Sequence, residues 1–164
     1  MKNTEIVLGI VVKADKVKEA DVRVKLLTAR GIKTVTAVGA GKANAKLKHV
    51  VQLFTIAEFS VIGHRITTAH VVGSNHAITR DIKKFYLACA ICEVVAQVRG
   101  AGFLLTVNAL EELCNPNANT RAVFIDYFSR LLLELGYGVE PDEDLNTAYA
   151  RYLDIKIPNT RHFL

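Results

Sequence analysis

Hydrophobic and polar positions alternate in twos over the first 70 or so residues and recur in threes and fours over the remainder. Ile6, Leu8, Ile10 and Val12 share one parity. Val22, Val24 and Leu26 alternate with Asp21, Arg23 and Lys25, the mark of a half-buried strand with a charged outer face. Thr28-Ala29-Arg30-Gly31 reads as a turn, and Ile32 to Val38, rich in β-branched residues, as a third strand. A fourth strand is expected over Val50 to Val61, with an irregularity near Ala57-Glu58 where the apolar positions change parity. A fifth is expected over Arg65 to Val72. Five strands with the longest insert after the third predict a small closed barrel of the OB type.

Beyond Gly73-Ser74-Asn75 the period becomes helical. Ile78, Ile82, Phe85, Cys89, Cys92 and Ala96 recur at spacings of three and four, until Arg99-Gly100-Ala101-Gly102 interrupts them. A second helix is predicted over Phe103 to Cys114, stopped by Asn115-Pro116-Asn117. The third has Thr120 as its expected N-cap and Gly136 as its stop. Between them Val123, Phe124, Tyr127, Phe128, Leu131, Leu132 and Leu135 form one apolar face, opposite Arg121, Asp126, Arg130 and Glu134. A last helix is predicted from Asp142 to Asp154, its acidic start suited to the positive end of a helix dipole. The fold class is therefore α+β, strands first: a five-stranded OB-type barrel over residues 1–74 and a helical domain over 75–164.

Composition narrows the class. An apolar fraction of 51% supplies a packed core, and three cysteines in 164 residues do not make a disulfide scaffold. No apolar run approaches the roughly 20 residues of a membrane helix. The short run Ile6 to Val12 is bounded by Glu5 and Lys13 without a cleavage pattern, so it reads as a first strand and not as a signal peptide. The expectation is a cytoplasmic protein. Charge changes the picture further. Residues 1–50 hold eleven Lys/Arg against four Asp/Glu, whereas residues 51–164 hold ten against twelve. All of the excess positive charge sits in the first third, as expected of a polyanion-binding module.

The centre of that charge is Gly39-Ala40-Gly41-Lys42-Ala43-Asn44-Ala45-Lys46-Leu47-Lys48-His49. It is not a Walker loop: Thr36 stands where the first glycine belongs, and Ala43 follows the lysine where Ser or Thr is required. Cys89 and Cys92 form a C-x-x-C without a second ligand pair, and on an apolar helix face they read as small core residues. His64 and His70 are too far apart along one strand to share a metal. No catalytic grouping emerges from spacing, so no enzyme, metal or cofactor is expected. Arg23, Lys25, Arg30, Lys33, Lys42, Lys46 and Lys48 remain as candidate nucleic-acid contacts, able to neutralise phosphates without reading sequence. The strand segment has no Trp or Tyr, and Phe54 and Phe59 fall at core positions, so base stacking on aromatic platforms is expected to be minor.

The order Thr4-Glu5-Ile6-Val7-Leu8, Glu19-Ala20-Asp21, Leu26-Leu27-Thr28, Ala37-Val38-Gly39-Ala40 and Gln52-Leu53-Phe54-Thr55, followed by Phe128 to Leu135 and Gly136-Tyr137, resembles the RecO family of bacterial recombination mediators. The resemblance implies an OB-fold followed by helices and a nucleoid-associated repair protein that binds single- and double-stranded DNA and anneals strands. It also implies partners: RecR, single-stranded-DNA-binding protein, and RecA as the recombinase whose loading is assisted. Leu53 stands where the family commonly has proline, and Asn115 to Leu164 carries no cysteine, so the implied form lacks the zinc element of many members. Two other readings share the basic barrel: an RNA- or ribosome-associated OB protein, and an adaptor docking acidic protein segments.

Overall fold

A computed structural model describes residues 3–164 and divides the chain into two compact units, one ending at Asn75 and the other spanning His76–Leu164. The first holds five strands: β1 (Thr4–Val17), β2 (Asp21–Thr28), β3 (Gly31–Ala37), β4 (Ile56–Ile62) and β5 (Arg65–Gly73). They are hydrogen-bonded in the order β1-β2-β3-β5-β4, and the sheet closes in a ring through antiparallel β4 and β1. Strand β1 serves two neighbours: Thr4 to Ile10 pair with β4, and Ile10 to Val17 pair with β2. Val12 has no partner on β2, because Val11 faces Leu26 and Lys13 faces Lys25. That bulge bends the strand between its two partners. The ring's other seam is thin, with β3 and β5 parallel and paired at Thr36 and Arg65.

Val7, Val11, Val24, Leu26, Val35, Phe59, Val61 and Ile66 fill the interior. Full burial of a side chain such as Phe59 contributes about 1.5–3 kcal/mol. In the first half of β1 the inward set is Val7, Gly9 and Val11, whereas Ile6 and Leu8 point outward, Ile6 being 71% exposed. The apolar parity expected from Ile6 and Leu8 is thus reversed. An added Cβ on Gly9 would lie 3.1 Å from the Leu26 Cβ, so the inward row needs a residue without a side chain there.

The expected fourth strand is shorter than its apolar run. Val50 to Thr55 is wound in turns, and β4 begins only at Ile56. Phe54 takes the left-handed region at φ 75°, which no extended strand tolerates, while its amide donates to the Val11 carbonyl. Val50, Val51 and Phe54 are nonetheless buried, so the apolar run reflects packing and not extension. The β4–β5 ladder slips between Ile56 and Ala57, where the irregularity was expected, and again between Ser60 and Val61.

The second unit begins with a 3-10 turn (His76–Arg80) and holds α1 (Ile82–Val95), α2 (Phe103–Leu113), α3 (Thr120–Glu134), α4 (Leu145–Leu153) and α5 (Thr160–Phe163). Asp81 caps α1, its carboxylate accepting from the amides of Lys83 and Lys84. The buried face of α1 runs through Lys84, Leu87, Ile91, Val94 and Val95, and Ile82 is exposed, so the helix is rotated from the face the spacing suggests. Lys84 lies buried with its ammonium on the Asn115 carbonyl at 2.7 Å, satisfying the peptide end beyond α2. Asn119, not Thr120, is the N-cap of α3, accepting from Ala122 at 3.0 Å; the Thr120 hydroxyl donates instead to the Phe163 carbonyl. Gly136, at φ 90°, ends α3 as expected, and the Tyr137 amide reaches back to the Leu132 carbonyl. The last long helix starts at Leu145 and not at Asp142, with Asp144 as its N-cap.

Candidate nucleic-acid interface

Arg23 and Lys25 lie on the outer face of β2. The pleat alternates them with buried Val22, Val24 and Leu26. Two cross-strand rows follow from the register. Asp15, Arg23 and Thr36 face outward in one, and Lys13, Lys25 and Thr34 in the next. Lys13 was not among the sequence candidates; the bulge at Val12 sets it directly opposite Lys25. Like charges directly opposed on antiparallel strands repel, and a phosphate near both ammonium groups would relieve that repulsion. Asp15 offsets part of this charge, lying 3.7 Å from the Lys13 ammonium.

Arg30 is exposed in the turn joining β2 to β3, where the Thr28 hydroxyl donates to the Gly31 carbonyl and accepts from the Arg30 amide. Lys33 belongs elsewhere. It pairs with Leu26, on the inward parity, and its ammonium meets the Glu5 carboxylate at 2.8 Å. The two close a rim of the ring, and Lys33 has already found an anion.

Lys42, Lys46 and Lys48 are exposed on the segment between β3 and β4. The chain there winds through successive tight turns. Lys42 donates to Gly39, Ala45 to Lys42, Lys48 to Ala45 and Val50 to Leu47 through their amides, at 3.1 to 3.2 Å. Its first residues are pinned to the β1–β2 turn: the Gly39 amide donates to the Asp21 carboxylate at 2.9 Å and the Gly41 amide to the Ala20 carbonyl at 2.8 Å. Ala40 and Val50 sink into the core, leaving the lysines between them displayed from a fixed base.

That segment also forms one wall of a cleft of about 930 Å³ where β3 and β5 part. Thr36, Val38, Gly39 and Ala45 to Leu47 face Ile62 to Thr67 across it. The cleft brings Lys46 together with His64 and Arg65, both exposed. Neither was a sequence candidate. They are distant from Lys46 along the chain, and only the closure of the ring, with the Thr36 amide on the His64 carbonyl at 2.7 Å, makes them neighbours.

Phe54 and Phe59 are both buried, so neither offers a stacking platform. In the second unit, Cys89 and Cys92 sit on α1, and burial pushes the Cys89 thiol up to about 11 and raises Cys92 further. Both are protonated at neutral pH, the opposite of a reactive or metal-binding thiolate. Among the described residues no cluster of His, Cys, Asp and Glu is arranged to hold a metal ion, and no helix is long and apolar enough to cross a membrane.

Residues 1–71 match the family model described as "Recombination protein O N terminal". No curated protein matches the chain.

Proposed function

Starting from a RecO-like N-terminal domain, residues 1–71, we propose that this chain is a DNA-binding mediator of recombinational repair, working in the cytoplasm on the nucleoid. It holds single- and double-stranded DNA by the phosphate backbone, promotes annealing, and assists RecA loading together with RecR and single-stranded-DNA-binding protein. The observation that carries the DNA contact is the basic row on the closed sheet, Lys13 opposite Lys25 with Arg23 beside them, only partly offset by Asp15. Lys42, Lys46 and Lys48 extend it from the pinned turns between β3 and β4.

The chemistry of annealing follows from what this surface contains. Ammonium and guanidinium groups neutralise phosphates and lower the repulsion between two strands. With its two phenylalanines buried and no Trp or Tyr, the sheet exposes no large aromatic platform to hold a run of bases, so Watson–Crick edges stay free to pair. No step of this kind needs a nucleophile, a metal or a hydrolysed nucleotide.

The test is strand annealing between complementary oligonucleotides at low salt, with and without the protein. The protein accelerates pairing, and changing Lys42, Lys46 and Lys48 together to glutamine weakens both annealing and binding alike for unrelated sequences. A protein without DNA affinity at low salt contradicts the proposal. Stronger binding to matched RNA would favour an RNA-associated role, and binding to acidic peptide alone would favour an adaptor.

A further inference from the structure

The cleft between β3 and β5 has a different chemistry from the rest of the basic surface. Elsewhere the cations stand on strand faces or turns, suited to a backbone passing over them. Here Val38, Leu47 and Ile62 offer apolar surface, and Lys46, His64 and Arg65 stand among them. Val38 is 45% exposed, although β-branched and next to a core alanine, so its apolar surface is open to solvent. At about 930 Å³ the cleft falls within the roughly 300–1,000 Å³ range of clefts that enclose small ligands.

Charge and apolarity set together select a ligand that carries both. A phosphodiester alone is served by the open cationic rows and gains nothing from Val38 or Leu47. A nucleotide with its base unpaired presents a flat, weakly hydrated ring and, one sugar away, a phosphate. A paired base cannot bring its face to such a wall without leaving the helix, at a cost of a few kcal/mol. We propose that this cleft receives an unpaired nucleotide of bound DNA, its base against Val38, Leu47 and Ile62 and its phosphate at Arg65 and Lys46. The cleft thereby adds a contact that a single strand makes and an intact duplex does not. This inference rests on the DNA-binding reading above and adds a second, strand-selective element to it.

The seam supplies the space. Strands β3 and β5 pair at Thr36 and Arg65, and from there the chain runs on through Val38 and Gly39 on one side and Thr67 on the other, all lining the cleft. The two walls are held independently of any ligand. One is fixed by the Gly39 and Gly41 amides on the β1–β2 turn, the other by the β4–β5 ladder.

The full chain is titrated against a fluorescent oligothymidine and against a duplex of the same length, by anisotropy at fixed low salt. Two charge variants are compared with the parent: Arg65→Gln alone, and Arg23→Gln with Lys25→Gln. The first weakens single-strand binding about tenfold, the equivalent of about 1.4 kcal/mol, and leaves duplex binding within about threefold. The second weakens both substrates to a similar degree. Val38→Asn, at a position 45% exposed, removes apolar surface without removing a cation or adding an anion and repeats the selective loss. Equal losses on both substrates from the cleft variants, or no loss on single strands, overturn the inference and leave the basic rows as the whole interface. A parent protein that binds neither substrate overturns the DNA-binding reading itself, which separates the two failures.

Discussion

Lys25 on β2 and Lys33 on the next strand, β3, differ entirely in situation. Lys25 faces another lysine across the strand pair, whereas Lys33 is held by Glu5 at 2.8 Å. A cation without an anion gains most from a phosphate; one already paired must first lose its partner. Arg23→Gln and Lys25→Gln should therefore each lower the salt dependence of DNA binding by about one counterion, and Lys33→Gln should change it less. Binding measured across a salt series with the three single variants distinguishes them. A second residue-scale test lies in the helical unit. The Tyr127 and Thr106 hydroxyls share a 2.8 Å hydrogen bond in full burial. Tyr127→Phe strands the Thr106 hydroxyl and should cost about 1–3 kcal/mol in denaturant unfolding, and adding Thr106→Val should recover much of it.

Elements carry the difference between what the chain spells and what it builds. The alternation of β2 was legible because charged and apolar residues truly oppose each other there. Strand β1 misled because its inward row includes Gly9, which looks like no core residue, while Ile6 and Leu8 face outward. The phase of α1 was hidden for another reason: with Leu87, Ala88, Ala90, Ile91, Cys92, Val94 and Val95 all buried, little polar face remains to define a direction. Caps depend on one residue's dihedral, and Asn119 beside Thr120 offered two chemically suitable candidates. The turns after β3 make the clearest element-scale prediction. A Cβ on Gly41 would lie 3.1 Å from the Ala20 carbonyl oxygen, so Gly41→Ala should push the lysine-bearing segment off its support. Thermal unfolding should fall by the equivalent of about 1 kcal/mol, with DNA affinity falling alongside it. Asp144 adds a pH dependence. Its carboxylate, accepting from the hydroxyl and amide of Thr147, is held below the usual range. A depressed folded-state value means the cap's contribution is present above the ordinary carboxylate range and is lost as pH falls through the folded value. Unfolding of Asp144→Asn should accordingly lose part of the acid-side slope seen in the parent.

At the scale of the molecule, the basic excess in the first 50 residues and the closed sheet coincide in one compact unit. That coincidence was readable from sequence: fold class, strand number and the segregation of charge all follow from period and composition. The cleft was not, because Lys46 meets His64 and Arg65 only through ring closure at Thr36 and Arg65. Nor was Lys13, whose outward position depends on a one-residue bulge. Both belong to topology, which local periodicity does not encode. The central claim, that this unit holds DNA by its phosphates, has a direct signature in counterion release. Binding of the full chain to oligothymidine should fall linearly in a plot of log affinity against log salt. Its slope should be about −4, from about six phosphates at about −0.7 each on a single strand. A slope near zero, or no binding at the lowest salt, would contradict it.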